Sequence, residues 1–291
     1  MRSLRDVLLQ DAESLKRALS LETSEARIEV QCLLQHVLGE PRAYLLAHPE
    51  RVLSADEQAV YATLLQRRLC GEPMAHLLGE REFFGLNFKV TSATLIPRPE
   101  TELLVELALQ RIPPPQSSTR EAERFRVLDL GTGTGAIALS IAHMRPDVEV
   151  LAVDASEAAL QVARENAARL ATRNVSFMQS DWFSALGEQN FDLIVSNPPY
   201  VAAGDIHLAQ GDVRFEPLTA LVSGADGLND VRIIVAQAGA HLKKQGWLLL
   251  EHGYDQAVAI RELLIKNAYI GVFSAKDIGG IERVSGGLIE R

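Results

Sequence analysis

The sequence predicts an α/β fold, a parallel sheet flanked by helices, preceded by a small all-helical domain and a β-hairpin connector. Three observations carry this reading. From Leu4 to Leu69 apolar residues recur at spacings of three and four, as in Leu33, Leu34, Val37 and Leu38, which is the period of helices packed on one face. Between Glu80 and Leu95 the pattern becomes Phe83-Phe84, a turn at Gly85, then Phe88 and Val90 in alternation, as in a hairpin. From Arg126 onward short apolar strands alternate with longer helical stretches, and that βαβ rhythm demands a parallel sheet.

Local signals place the elements in order. Thr23 or Ser24 opens the second helix, and Ser54 with Glu57 three residues on forms a capping-box pattern. Helices stop near Gly39 and Gly71. Pro99 with Glu100 and Glu102 opens a helix, after which Pro113 to Ser118, within a proline-rich insert reaching Glu123, reads as a surface linker. Strands are expected at Val127–Leu130, Glu149–Val153, Val175–Met178, Phe191–Ser196 and Trp247–Glu251, with β-like segments near Tyr269–Phe273 and Arg283–Ile289. Helices fall between them at Ala136–His143, Ala158–Leu170, Asp230–Leu242 and Gln256–Lys266.

The chain has 291 residues, enough for two domains, and 47% hydrophobic against 23% charged residues is the balance of a packed globular protein. Apolar runs such as Gly246 to Leu250 fall far short of a bilayer span. Asp6, Asp11 and Glu13 interrupt the N-terminus before a signal-peptide core forms, so residence in the cytoplasm, without a membrane partner, is expected. Cys32 and Cys70 have no second ligand at metal spacing and read as buried small hydrophobes, and the seven histidines form no His-x-x-x-His cluster, so no metal is expected. Net charge is −9, and residues 1 to 80 carry nine Lys/Arg against twelve Asp/Glu, which disfavours a direct nucleic-acid partner.

Val127-Leu128-Asp129-Leu130 leads into Gly131-Thr132-Gly133-Thr134-Gly135, glycines at a strand-to-helix turn where a nucleotide-like ligand can lie against backbone amides. Gly131, Gly133 and Ala136 also satisfy the loose dinucleotide fingerprint, so the loop alone does not separate an oxidoreductase from a methyltransferase. Asp129, just before the turn, would repel a pyrophosphate and attract the ammonium of a methionine moiety, which favours S-adenosylmethionine. Asp154, at the end of the second sheet strand, is placed to accept hydrogen bonds from ribose hydroxyls. Asp181-Trp182-Phe183 follows the third strand, where an adenine edge would lie, although a core or lid position is an equal reading for Trp182.

Phe191 to Ser196 runs directly into Asn197-Pro198-Pro199-Tyr200. Adjacent prolines remove two amide donors and fix the backbone, leaving rigid carbonyl acceptors suited to an NH2 group. An amide nitrogen is a poor nucleophile because its lone pair is delocalised. Accepting its two hydrogens on the Asn197 side-chain oxygen and the Pro198 carbonyl orients that lone pair toward a methyl donor, and Tyr200 offers a flat face for a planar group. Planar amines of adenine, guanine and glutamine all suit the corner.

With both motifs in place, the chain resembles the bacterial release factor glutamine methyltransferases, the PrmC or HemK family, over essentially its whole length. The resemblance lies in Gly71-Glu72-Pro73, Ala75-His76-Leu77, Leu95 to Glu102, Leu128 to Ala138, Ser180 to Ala185, Ser196 to Tyr200, Gly211 to Leu218 and Leu249 to Gly253. It implies a helical substrate-recognition domain over 1–78, a hairpin connector over 79–95, and a seven-stranded, Rossmann-like class I methyltransferase domain over 96–291. It also implies transfer from S-adenosylmethionine to the side-chain nitrogen (N5) of the Gly-Gly-Gln glutamine in class I release factors, by a chain acting as a monomer. By position, Gly131 to Gly135, Asp154, Trp182 and Asn197 would hold the cofactor, and Asn197 to Tyr200 the glutamine. Arg98, Glu100, Arg214 and Glu216 are second-tier candidates for which salt-bridged loop support is an equal account. Three rivals stay open: a nucleic-acid amino methyltransferase, which would normally add a basic groove; a nucleotide-binding oxidoreductase, which has no use for the proline corner; and a non-catalytic binding module.

Overall fold

The structure, a computed structural model, describes residues 2–115 and 124–290. The linker expected at Pro113 to Glu123 lies, from Gln116 to Glu123, outside the described residues. The chain divides into two compact units, Met1–Glu80 with Ile206–Phe215, and Arg81–Asp205 with Glu216–Arg291. The hairpin's second strand thus groups with the sheet, and a segment from the second half of the chain groups with the helices.

The first unit holds α1 (Leu4–Leu19), α2 (Thr23–Leu38), α3 (Arg42–Ala47), α4 (Ala55–Leu69) and α5 (Met74–Leu78). Their apolar faces meet in a core of Leu4, Leu15, Val30, Leu33, Leu34, Tyr61 and Leu65. Ser54 and Glu57 form the expected capping box, each bonding the other's backbone N–H. At α2 the cap is Glu22, whose N–H is taken by Glu25 at 3.1 Å, and Thr23 lies inside the helix. The buried Arg68 guanidinium grips Glu29 through two 2.8 Å bonds and also reaches Asp212 at 3.0 Å, which ties the Ile206–Phe215 segment to the helices. Cys70 is exposed and Cys32 only partly buried, so neither is the core residue expected. Cys70 is the cap of α4, outside its apolar stripe, and Cys32, in the middle of α2, lies off the stripe of Ala26, Val30, Leu33 and Leu34.

The hairpin pairs β1 (Glu80–Phe83) with β2 (Leu86–Lys89) around Phe84 and Gly85, both at positive φ as a two-residue hairpin turn requires. It is shorter than the alternation suggests. Residues 90 to 98 are irregular and border the cavity described below. A short 3₁₀ turn, Pro99–Thr101, then opens α6 (Glu102–Arg111).

The sheet has seven strands: β3 (Arg126–Leu130), β4 (Glu149–Asp154), β5 (Val175–Gln179), β6 (Phe191–Ser196), β7 (Leu242–Glu251), β8 (Ile270–Lys276) and β9 (Glu282–Leu288). Their order is β5-β4-β3-β6-β7-β9-β8, with β3 to β7 parallel and β9 alone reversed, antiparallel to both its neighbours β7 and β8. Because strand side chains alternate, Val127, Leu193, Val195 and Leu249 pack on one face, the face covered by α6, α7 (Ala136–Met144) and α8 (Glu157–Arg169). Leu128, Leu130, Ile194, Leu248 and Leu250 pack on the other, beneath α9 (Asn229–His241) and α10 (Ala257–Lys266). Burial on both faces is why these strands read as nearly unbroken apolar runs. The chain moves outward from β3 to β4 and β5, then returns to β6 on the other side of β3. This reversal opens a crevice at the carboxyl ends of β3 and β6, where ligands bind in sheets of this kind.

Candidate active site

A cavity of about 580 Å³ lies at that crevice. Its walls include Gly131, Thr132, Gly133, Thr134, Asp154, Trp182, Asn197 and Pro199, so both sequence motifs meet in one site although more than 60 residues separate them. The volume falls in the range of small-molecule and cofactor sites.

The glycine loop is held from two sides. Gly131 and Thr132 each donate a backbone N–H to the Val153 carbonyl at 2.9 Å. Asp154 accepts from Gly133 N and Ser156 N at 2.9 Å each, and its burial raises the carboxyl above the usual range against the pull of those two donors. Gly135 caps α7 and is not part of the cavity wall. At φ 82° it sits in the left-handed region, and a Cβ there would stand 2.9 Å from Leu139 Cδ1 and 3.2 Å from Ala163 Cβ.

Asp129 departs from the role expected of it. It does not line the cavity but lies under the loop, fully buried, with Oδ2 accepting from Thr132 Oγ1 at 2.6 Å and Ala138 N at 3.2 Å. Strand alternation is the cause: Asp129 shares the α6/α7 face with Val127, so its carboxylate supports the loop from below. Burial pushes its pKa up to about 7, and Oδ1 has no hydrogen-bond partner.

Trp182 sits at φ 47°, a strained conformation for a bulky residue. The Ser180 hydroxyl holds it by donating to the Trp182 carbonyl at 2.8 Å and accepting from Ala185 N at 3.1 Å. The indole lies over the loop, 3.5 Å from where a Gly131 Cβ would be.

At the end of β6, Ser196 Oγ donates to the Leu130 carbonyl at 2.7 Å and locks the two strand ends together. Asn197 Nδ2 donates to Thr101 Oγ1 at 3.2 Å. Pro198 is buried, and neither it nor Tyr200 belongs to the cavity wall. Tyr200 is half-buried; its phenol is pushed up to about 12 by burial and by Glu251, and its carbonyl accepts from Gln256 Nε2 at 2.9 Å. Gln256 Oε1 accepts from Gly253 N at 2.9 Å, so one buried amide joins the proline corner to the turn after β7. Beyond the corner, Val201 pairs with Val222 in a parallel bridge.

Among the second-tier candidates, Arg98 lines the cavity and is ion-paired with Glu216, whose other oxygen accepts from Ile96 N at 2.8 Å. Glu100 is exposed. Arg214 donates to the Cys70 carbonyl at 2.5 Å, within the helical unit. Thr101, Glu251 and Gln256 were not singled out as site residues. Thr101 and Glu251 lie inside the quoted segments Leu95–Glu102 and Leu249–Gly253, the one trace of them in the sequence. No group of three or more His, Cys, Asp or Glu side chains among the described residues is placed to hold a metal ion. No helix among them is long and apolar enough to cross a membrane.

The strand order, the glycine loop after β3 and the acid ending β4 define a class I S-adenosylmethionine-dependent methyltransferase. Residues 108–213 match the methyltransferase small domain family, and residues 8–79 match the PrmC N-terminal domain. The chain is 49% identical to the release factor glutamine methyltransferase of Escherichia coli K12, over 93% of this chain and 96% of that one. It is 48% identical to the Pseudomonas aeruginosa enzyme of the same name, over 91% and 93%. The chain therefore belongs to the release factor glutamine methyltransferases. A methyltransferase from Pyrococcus furiosus shares the fold, with a TM-score of 0.52 and 19% identity over 79% of this chain and all of that one.

Proposed function

We propose that this chain methylates the side-chain amide nitrogen of the glutamine in the Gly-Gly-Gln motif of class I release factors, using S-adenosylmethionine. The observation that carries the residue assignment is the convergence of Asn197 with the glycine loop and Asp154 on one cavity. The residues present fit the cofactor: glycines without side chains line one end and let a ligand lie against the backbone, Asp154 offers acceptors for ribose hydroxyls, and Trp182 offers an aromatic face beside Asp181. When bound, S-adenosylmethionine supplies a methyl group on a positively charged sulfur that is already a good leaving group.

Gly131 to Thr134, Asp154, Trp182 and Asn197 would hold that cofactor, with Gly135 shaping the loop from outside the wall, and the corner Asn197 to Tyr200, of which Asn197 and Pro199 reach the cavity, would hold the amide. Asn197 Oδ1 and the Pro198 carbonyl accept the two amide hydrogens, which directs the nitrogen lone pair along the line of transfer. Held there, the amide nitrogen would take the methyl that the cofactor supplies, with S-adenosylhomocysteine as the leaving group, and would shed one proton. No strong base is needed, because positioning supplies most of the acceleration. Arg98 and Glu216 fix the 96–98 segment that forms part of the wall.

The test is transfer of labelled methyl from S-adenosylmethionine to a purified class I release factor. Beside it run a copy with the Gly-Gly-Gln glutamine changed and a sample of total nucleic acid. Label only on the unaltered release factor is the expected result. Label on nucleic acid would instead support an exocyclic-amine methyltransferase. In the same assay Asn197→Ala is expected to lower kcat on the order of 100-fold with cofactor affinity largely kept, since it removes an acceptor from the nucleophile. Unchanged turnover would sink the amide-holding mechanism.

A further inference from the structure

Glu251 ends β7 beside the proline corner: β6 and β7 run parallel with Ser196 opposite Leu250, so Asn197 and Glu251 leave adjacent strand ends together. Glu251 is 1% exposed and Thr101 4% exposed. Thr101 and Asn197 line the cavity, and Glu251 does not. Asn197 Nδ2 donates to Thr101 Oγ1, and both side chains hydrogen-bond the Glu251 carboxylate. The other carboxylate oxygen, Oε2, has no partner.

We infer that Glu251, together with Thr101, sets the orientation of the Asn197 carboxamide, turning its Nδ2 toward the protein and its Oδ1 toward the substrate amide. This rests on the reading of Asn197 as the acceptor of an amide hydrogen. An asparagine amide has nearly the same shape when its oxygen and nitrogen are exchanged, so only hydrogen bonding selects between the two orientations. In its ionised form, reached as pH rises through about 7, the Glu251 carboxylate only accepts. It therefore takes the Thr101 proton, leaves Thr101 Oγ1 as the acceptor for one Asn197 hydrogen, and accepts the other itself. In the exchanged orientation Asn197 Oδ1 would face the carboxylate, and Nδ2 would meet the substrate NH2 donor to donor. Glu251 is thus a positioning residue, one layer behind the reacting atoms. A purely structural role explains it poorly, because a buried carboxylate with an unpartnered oxygen destabilises a fold that an apolar side chain of equal length would not.

The experiment compares E251M, E251Q, T101V, N197A and the N197A/E251M pair in the full chain. It measures kcat and KM on a release factor, cofactor affinity by calorimetry, and Tm. Positioning predicts that E251M lowers kcat by up to about 100-fold, the scale on which misplacement of a reacting group acts, while cofactor affinity stays near that of the parent and Tm is equal or higher. E251Q, which keeps an acceptor oxygen, recovers most of the lost turnover, and the double variant is no slower than N197A alone. T101V lowers kcat in the same way, so the inference remains testable if E251M does not fold. A slow N197A beside E251M and T101V both within about twofold of the parent would overturn the inference and leave the amide-holding mechanism standing. So would a kcat loss in E251M that merely follows a loss of cofactor affinity. An N197A variant as fast as the parent would overturn both.

Discussion

Tyr200 lies off the cavity wall, and its backbone anchors the proline corner. Its carbonyl is pinned by Gln256, and Gly227 passes so close that a Cβ there would stand 2.2 Å from the Tyr200 oxygen and 2.7 Å from Gln256 Nε2. Gly227 also adopts φ 74°, which a side chain disfavours. Gly227→Ala must therefore displace either the corner or its clamp. The expected result is a loss of about 1–3 kcal/mol in denaturant unfolding, with a fall in kcat on a release factor. Unaltered kinetics would show that the corner does not depend on this packing. Such support was not legible in the sequence, since Gly227, Gln256 and Tyr200 meet only after the chain has closed the sheet. Asn197 and Asp154 were legible because each follows an apolar strand, and a strand end in a parallel sheet is where ligands are met. Asp129 lies inside such a run, one residue before its end at Leu130, and alternation places it on the Val127 face, away from the cavity.

Strands β3 to β6 were readable from apolar runs, whereas β7 was readable only in its second half, Trp247 to Glu251. It begins at Leu242, five residues before the expected Trp247, through the polar Lys243-Lys244-Gln245 stretch and a register irregularity against β6. Lys243 meets Asp192 at 3.2 Å there, a pairing invisible to hydropathy. The hairpin was overextended for the opposite reason: alternation continues in Val90 and Leu95, but the chain there forms cavity wall without strand partners. At the β3–α7 junction Gly135 answers two demands, a left-handed backbone and room for Leu139 and Ala163. Gly135→Ala is expected to lower unfolding stability by about 1–3 kcal/mol and to weaken S-adenosylmethionine binding in calorimetry, since the strained turn carries the loop with it. Parent-like stability and affinity together would show that the junction tolerates a side chain.

At the scale of the whole molecule, the site is built on carboxylates that the fold buries at a cost to stability. Burial holds Glu251 up at about 7, from an ordinary value of 4.5, and Asp129 likewise at about 7. A carboxyl whose folded pKa is raised binds more protons folded than unfolded, so its contribution to stability falls as pH rises from its unfolded value through its folded one. His252 acts in the opposite direction: burial lowers its pKa, so it disfavours the fold as pH drops below 6.5 and the unfolded imidazole takes a proton. The raw stability curve mixes these terms, but a difference between two variants does not. E251Q removes one titration while keeping the shape of the side chain. Its stability should match the parent near pH 4, where Glu251 is protonated in both states, and exceed it increasingly up to pH 7. Above about pH 8 the gain should level off at no more than roughly 3 kcal/mol, from one pKa unit being worth 1.36 kcal/mol. Paired urea titrations across that range read the difference directly. A difference that does not change with pH would mean that the Glu251 carboxyl has the same pKa folded as unfolded, and that burial does not raise it.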